Sequence, residues 1–188
     1  NEEILIIIEN FQFYDFIVEY LLNSNYNVNQ KNKNGQTILM MCCIPSFKRC
    51  NFNFIPFDDS LSVNDSINKE KEKFETGMTK VIQTLILKNA NVNCCDSTNG
   101  NALFYAIQNK NKFIVDLLLK QKNIDINSIP IKSKNIIAHA VQNEMIELAK
   151  TLLQHVDLVL QKDHYQQIFE ATVDVQDSKM IQYFLNYD

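Results

Sequence analysis

The sequence predicts an all-α fold, a solenoid of about five helix-turn-helix repeats with a long insertion, 45–76, inside the second repeat. Three observations predict it. The phrase Asn-Val-Asn stands at 27–29 and again at 91–93, and Asp-Ile-Asn stands at 125–127. An apolar segment of helical period runs into each phrase, and a second, shorter helical pattern precedes most of those segments. The spacing is that of a repeat: Asn93 and Asn127 lie 34 residues apart, and Asn29 and Asn93 lie 64 apart, one repeat plus the insertion. A fixed period of this size marks stacked supersecondary units.

Taken in order, Ile4–Glu9 is predicted as the first helix of a unit whose opening loop is missing, followed by IVEYLLNSNYNVN at 17–29. The second unit has TILMMCCI at 37–44 and, after the insertion, VIQTLILKNANVN at 81–93. The third pairs ALFYAIQN (102–109) with IVDLLLKQKNIDIN (114–127). The fourth pairs IIAHAVQN (136–143) with LAKTLLQHVDL (148–158), and the fifth pairs QIFEATVD (167–174) with MIQYFLNYD (180–188). Apolar and small residues fall at i, i+3 and i+4, as at Leu103, Ala106 and Ile107. The units read as 1–29, 30–93, 94–127, 128–158 and 159–188 of one domain spanning 1–188. Helices of about ten residues are marginal alone, so each apolar face needs a neighbouring pair. Ala106, Ala138, Ala140 and Ala171 let those neighbours approach, with Cys42 and Cys43 substituting in the second unit. Val28, Val92 and Ile126 are expected to plug the loop bases, and the flanking asparagines to bond the loop backbone.

The insertion has two parts. Ser46–Asp59 carries Phe47, Phe52, Phe54 and Phe57, and Pro45 and Pro56 forbid a long helix there. Asn64–Glu75 reads as a helix, with Thr76-Gly77 ending it before a helix over 78–88. Phe52, Phe54 and Phe57 either enter a partner or fold back onto their own repeats; both readings stay open.

Composition bounds the chemistry. Hydrophobic content of 46% with 21% charge is that of a globular protein, and the net charge of −4 with pI about 5.4 favours neither nucleic acid nor an anionic membrane. Lys31, Lys33, Lys132, Lys134 and Lys162 make only a weak basic fringe at loop tips. The longest apolar run, Ile4–Ile8, is far short of a bilayer span, so no direct membrane insertion is expected. The chain opens at Asn1 inside a helical pattern and is read as a piece of a longer or processed protein. Its five cysteines include the adjacent pairs Cys42-Cys43 and Cys94-Cys95, which lack zinc-site spacing. They fit a reducing, intracellular, cytoplasmic setting. No metal or cofactor is expected. His139 is expected to be a structural histidine; a Cys42 or Cys43 partner would lie about two layers away, roughly 20 Å at about 10 Å per layer of packed helices. Proton transfer needs about 3 Å, so no enzyme is expected.

The pattern resembles the ankyrin repeat. NGQTILMMCC at 34–43 matches the G-x-T-P-L-H-x-A-A opening at Gly35, Thr37 and Leu39, with Cys42 and Cys43 in the two alanine places. DSTNGNALFYA matches at Asp96, Ala102, Leu103 and Ala106, and the second-helix pattern matches well at 81–93 and 114–127. The resemblance covers nearly the whole chain. It places Asn25 and Asn89 at a helix-ending glycine position that wants a left-handed backbone, for which Asn is next best. It implies a non-catalytic protein-interaction module that docks a protein partner through loop tips and a first-helix groove, as a scaffold or complex subunit. An alternative is the regulatory segment of a larger enzyme or channel. Matched by position, the recognition residues are Lys33, Asn34 and Gln36; Ser97, Thr98, Gly100, Gln108 and Asn109; Ile131, Lys132, Lys134, Gln142 and Asn143; and Lys162, Asp163 and Tyr165. Gly100 sits one place late, which leaves the register of the third unit open by one residue.

Overall fold

A computed structural model describes residues 14–44, 76–127, 135–154, 160, 162–176 and 178–186. The insertion up to residue 75, with Phe52, Phe54 and Phe57, and the loop residues Ile131, Lys132 and Lys134 lie outside them. The described residues contain helices and turns and no strand. The chain forms two compact units, Asn1–Asn91 and Val92–Asp188.

The first unit holds α1 (Tyr14–Asn23), α2 (Ile38–Cys42) and α3 (76–87). Tyr14, Ile17 and Leu21 of α1, Leu39, Met40 and Cys42 of α2, and Val81, Ile82 and Leu85 of α3 are buried. The buried positions of α1 and α3 recur at the three- and four-residue spacing of one helical face. Thr37 starts α2 as its N-cap, with extended backbone and a hydroxyl that accepts the Met40 N–H. The helix over 76–87 contains Thr76 and Gly77, two residues ahead of the start at 78 that the sequence predicts. The reason for the glycine is contact rather than termination. A Cβ on Gly77 would lie 2.6 Å from Tyr14 Cγ and 2.7 Å from Cε2, so the buried Tyr14 ring occupies that space.

The second unit holds α4 (Ala102–Gln108), α5 (Lys112–Leu119), α6 (Ile136–Gln142), α7 (Ile146–Leu153), α8 (Lys162–Val175) and α9 (Ser178–Leu185). Within each pair the helices pack on one another: α4 on α5, α6 on α7, α8 on α9. Between pairs, α4 packs on α6 and α6 on α8. The first helices therefore form a row. Ala106, Ala138, Ala140 and Ala171 are buried along it, and Leu118 and Leu152 are buried in the second helices. Asn101 and Asn135 cap α4 and α6, accepting from Phe104 N–H and Ile137 N–H. Both stand where Thr37 caps α2.

The helix ends explain the scarcity of glycine. Asn89 is left-handed (φ 60°), the Ala90 N–H reaches back to the Leu85 carbonyl and the Asn89 N–H to that of Ile86. These are the paired bonds of a Schellman cap. The same device closes both inner first helices, at Lys110 (φ 54°) and Glu144 (φ 59°), with Asn111 N–H on the Ala106 carbonyl and Met145 N–H on that of Ala140. Asn25, by contrast, is not left-handed. Here α1 ends at Asn23, and the Tyr26 N–H bonds the Ser24 hydroxyl, so the chain turns through a serine-centred turn without positive φ. Left-handed backbone costs a long side chain about 1 kcal/mol. The exposed Lys110–Glu144 ion pair at 2.9 Å returns only a few tenths. Lys110→Gly and Glu144→Gly are each expected to raise the stability of the second unit, by about 0.5 kcal/mol, as an upward shift in its urea midpoint.

Candidate partner-docking surface

The loops before α2 and α4 are built alike, 64 residues apart. Asn32 Oδ1 accepts the N–H groups of Asn34 and Gln36, each at 2.9 Å. Asp96 Oδ1 accepts those of Thr98 and Gly100, at 2.8 and 2.9 Å, and also the Thr98 hydroxyl. The Tyr105 hydroxyl donates to the other Asp96 oxygen. Burial works against ionisation of Asp96, but these donors outweigh it and hold its carboxyl below the usual value. Gly35 (φ 75°) takes the left-handed place in the first loop and Asn99 (φ 64°) takes it in the second. That settles the register. Gly100 is the counterpart of Gln36, and it lies against Tyr105, whose ring would be 3.1 Å from an added Cβ.

At the loop bases the phrase asparagines join successive repeats. Asn29 donates through Nδ2 to the Asn89 carbonyl (3.2 Å) and accepts the Asn91 N–H (2.7 Å). Asn93 does the same one repeat on, to the Asn123 carbonyl (2.6 Å) and from the Asp125 N–H (2.9 Å). Val28, Val92 and Ile126 are buried beside them. Each amide uses both of its ends, a role that a carboxylate or a hydroxyl cannot copy in full.

A family model for ankyrin repeats, in three copies, matches residues 73–163. Residues 73–163 are ankyrin repeats. Ankyrin repeats are protein-interaction modules, and the family is generally non-catalytic. A transient-receptor-potential-like protein of Caenorhabditis elegans is 29% identical over 106 residues, an alignment that takes in 52% of this chain and 10% of the relative. The matched part is thus about a tenth of that relative's length.

The described residues picked out from sequence divide into two kinds. Lys33, Asn34, Ser97, Thr98, Gln108, Gln142, Asp163 and Tyr165 are exposed. Gln36, Gly100, Asn109 and Asn143 serve the frame, as does the exposed Thr98 through its bonds to Asp96. The Gln36 carbonyl and side chain are both bonded to Asn32, and Gly100 is buried under Tyr105. Asn109 Nδ2 donates to the Tyr105 carbonyl at 2.7 Å and Asn143 Nδ2 to the His139 carbonyl at 2.9 Å, so both amides cap the helix that precedes them. Lys162 opens α8. The signal for the caps was present in the sequence, since Tyr105 and Asn109 recur as His139 and Asn143 exactly one 34-residue period later.

His139 is half-buried, and its ring stacks on Phe104 with centroids 4.3 Å apart. That is the setting of a packing residue between first helices. Burial pushes the Cys42 thiol up to about 12 and the Cys43 thiol well up too, so both stay protonated and are poor ligands or nucleophiles at neutral pH. Among the described residues no group of three or more His, Cys, Asp or Glu side chains could hold a metal, and no helix is long and apolar enough to cross a membrane.

Proposed function

We propose that the chain is a non-catalytic docking module, a stack of five ankyrin-like units that presents loop tips and first-helix ends to a protein partner within a larger assembly. The observation that carries this reading is the division of labour at 34-residue spacing. Asn109 and Asn143 are consumed in capping, whereas Gln108 and Gln142 beside them are exposed on the same helix ends. The helix ends thereby offer a row of exposed polar side chains. With Lys33, Asn34, Ser97, Thr98, Asp163 and Tyr165, they favour a hydrogen-bonding protein surface over an apolar peptide. The free thiols of Cys42, Cys43, Cys94 and Cys95 suit a reducing compartment.

The test replaces Gln108 and Gln142 by arginine, leaving the asparagine caps intact. Once a partner is isolated with the unaltered chain, the double variant is expected to bind it about tenfold more weakly, a loss of about 1.4 kcal/mol, with an unchanged urea midpoint. Equal affinity would overturn the helix-end reading and direct attention to Phe52, Phe54 and Phe57.

A second reading is favoured by one observation, the match to a transient-receptor-potential-like protein that is far longer than the aligned segment. In it the repeats are a regulatory arm of a larger channel or enzyme. Deleting them from the full polypeptide is then expected to change its conductance or turnover; a polypeptide with no domain besides the repeats would sink this reading.

A further inference from the structure

Two first helices of the second unit are closed by one device, and in one of the two a histidine stands inside it. At the end of α4 the Asn109, Lys110 and Asn111 N–H groups donate to the carbonyls of Tyr105, Ile107 and Ala106, and Asn109 Nδ2 donates to the Tyr105 carbonyl at 2.7 Å. At the end of α6 the Asn143, Glu144 and Met145 N–H groups donate to the carbonyls of His139, Val141 and Ala140, and Asn143 Nδ2 donates to the His139 carbonyl at 2.9 Å. The ring at the start of the device is thus Tyr105 in α4 and His139 in α6. The bond to a carbonyl fixes which end of the Asn143 amide faces the ring, and it is the donor end: Nδ2 lies 3.5 Å from His139 Nδ1. A donor beside Nδ1 suits a neutral ring with a lone pair there and its proton on Nε2. A proton added to Nδ1 sets two N–H donors against each other.

We propose that His139 is a pH-sensitive latch on the end of α6: protonation at Nδ1 expels the Asn143 amide, loosens the last turn of α6 and so withdraws Gln142 from its place. The ring is held against sideways escape, because it stacks on Phe104 with centroids 4.3 Å apart and its Nε2 is buried. Phe104 accepts a ring of either charge, by stacking when it is neutral and by cation–π attraction when it is charged. The Asn143 amide is therefore the group that moves. The charged and titratable groups of the helices packed on α6 are committed elsewhere or face water. On α4 the Tyr105 hydroxyl donates to Asp96. On α7, Glu147 and Lys150 pair at 2.9 Å, as do Lys110 and Glu144 beyond the helix ends. On α8, Glu170 and Asp174 are the counterparts of His139 and Asn143 in the aligned segments; both are exposed, and Glu170 accepts from Gln166 Nε2 at 2.8 Å. Lys162, Asp163, His164 and Tyr165 lie a turn or more before them. Exposed carboxylates are screened, so Glu170 and Asp174 favour the charged ring weakly and do not restore the cap. The charged ring is compatible with the open end and the neutral ring with the closed one. Closure is accordingly complete above the ordinary histidine range near 6.5 and is lost as pH falls through it. The consequence for docking rests on the reading of Gln142 as a docking residue; the opening itself does not.

The experiment is amide hydrogen exchange of the chain at about pH 7.5 and about pH 5.5, on either side of the ordinary histidine value, expressed as protection over the intrinsic rate at each pH. Protection of the Asn143, Glu144 and Met145 amides is expected to fall about threefold or more at the lower pH. That of the Asn109, Lys110 and Asn111 amides is expected to hold, because tyrosine does not titrate there. In His139→Tyr, which sets the ring of the α4 device at the end of α6, the fall is expected to vanish. His139→Gln gives the same reading should a tyrosine crowd Phe104. Equal changes at the two helix ends overturn the proposal, and so does a fall at α6 that survives both substitutions. No partner enters the measurement, so its failure leaves the docking role of Gln142 standing, and failure of that role leaves the latch standing.

Discussion

Replacing Asp96 by alanine is expected to destabilise the Val92–Asp188 unit by about 2–4 kcal/mol. One carboxylate accepts from two backbone N–H groups, the Thr98 hydroxyl and the Tyr105 hydroxyl. Removing it strands the buried Gly100 N–H, and an orphaned buried donor costs about 1–3 kcal/mol before the rest of the loop is counted. Asp96→Asn is expected to cost much less, about 1 kcal/mol or under, because Asn32 holds the equivalent N–H groups with an amide oxygen. The charge adds a pH dependence. The folded state lowers the carboxyl's proton affinity, so the unfolded chain takes up a proton first as pH falls. The stabilisation is complete above the ordinary aspartate range near pH 4 and is lost as pH drops through the folded value. Urea midpoints of the unaltered chain are expected to fall below about pH 4 more steeply than those of Asp96→Asn. Parallel curves would show that the carboxylate contributes nothing beyond its hydrogen bonds.

The second large effect concerns Gly77. In an exposed helix Gly→Ala stabilises by about 1 kcal/mol. Here the added methyl meets the buried Tyr14 ring, and overpacking of a tight contact costs about 1–3 kcal/mol. The net expectation for Gly77→Ala is a loss of about 1–2 kcal/mol in the Asn1–Asn91 unit. The sign should reverse once the ring is gone: in a Tyr14→Ala background the same substitution is expected to stabilise. Denaturation of the two single variants and the double variant completes the cycle. A loss that persists without the ring would point to the helix start rather than to Tyr14.

These two residues also show what the sequence disclosed. The 34-residue period, the helix pairs and the left-handed Asn89 were legible because they depend on spacing and on local backbone preference. Asp96 was visible as a family position but not as the centre of a four-donor loop, since Tyr105 folds back to it from inside α4. Gly77 was misread as punctuation because its reason lies 63 residues away, in a ring that only the folded unit brings near. Asn25 and Asn89 occupy matching places in aligned segments, yet Ser24 supplies a side-chain acceptor that gives the first of them another way to turn. Lys110 and Glu144 went unnoticed because neither is a residue that usually adopts positive φ; helix closure imposes it on them. Among the candidate surface residues, sequence matching could not tell the exposed Gln108 from Asn109, whose amide caps its own helix, because the two do not differ in polarity.

The glycine-side loops carry one more consequence. Asn34-Gly35 and Asn99-Gly100 are the dipeptides most prone to spontaneous deamidation, in which the glycine nitrogen attacks the asparagine side chain. In the folded loops that nitrogen is engaged: Gly35 N–H donates to the Asn32 carbonyl and Gly100 N–H to Asp96, each at 2.9 Å. The hydrogen bonds that shape the turns therefore also withhold the attacking atom, and chemical ageing at these two sites is tied to how often the loops open.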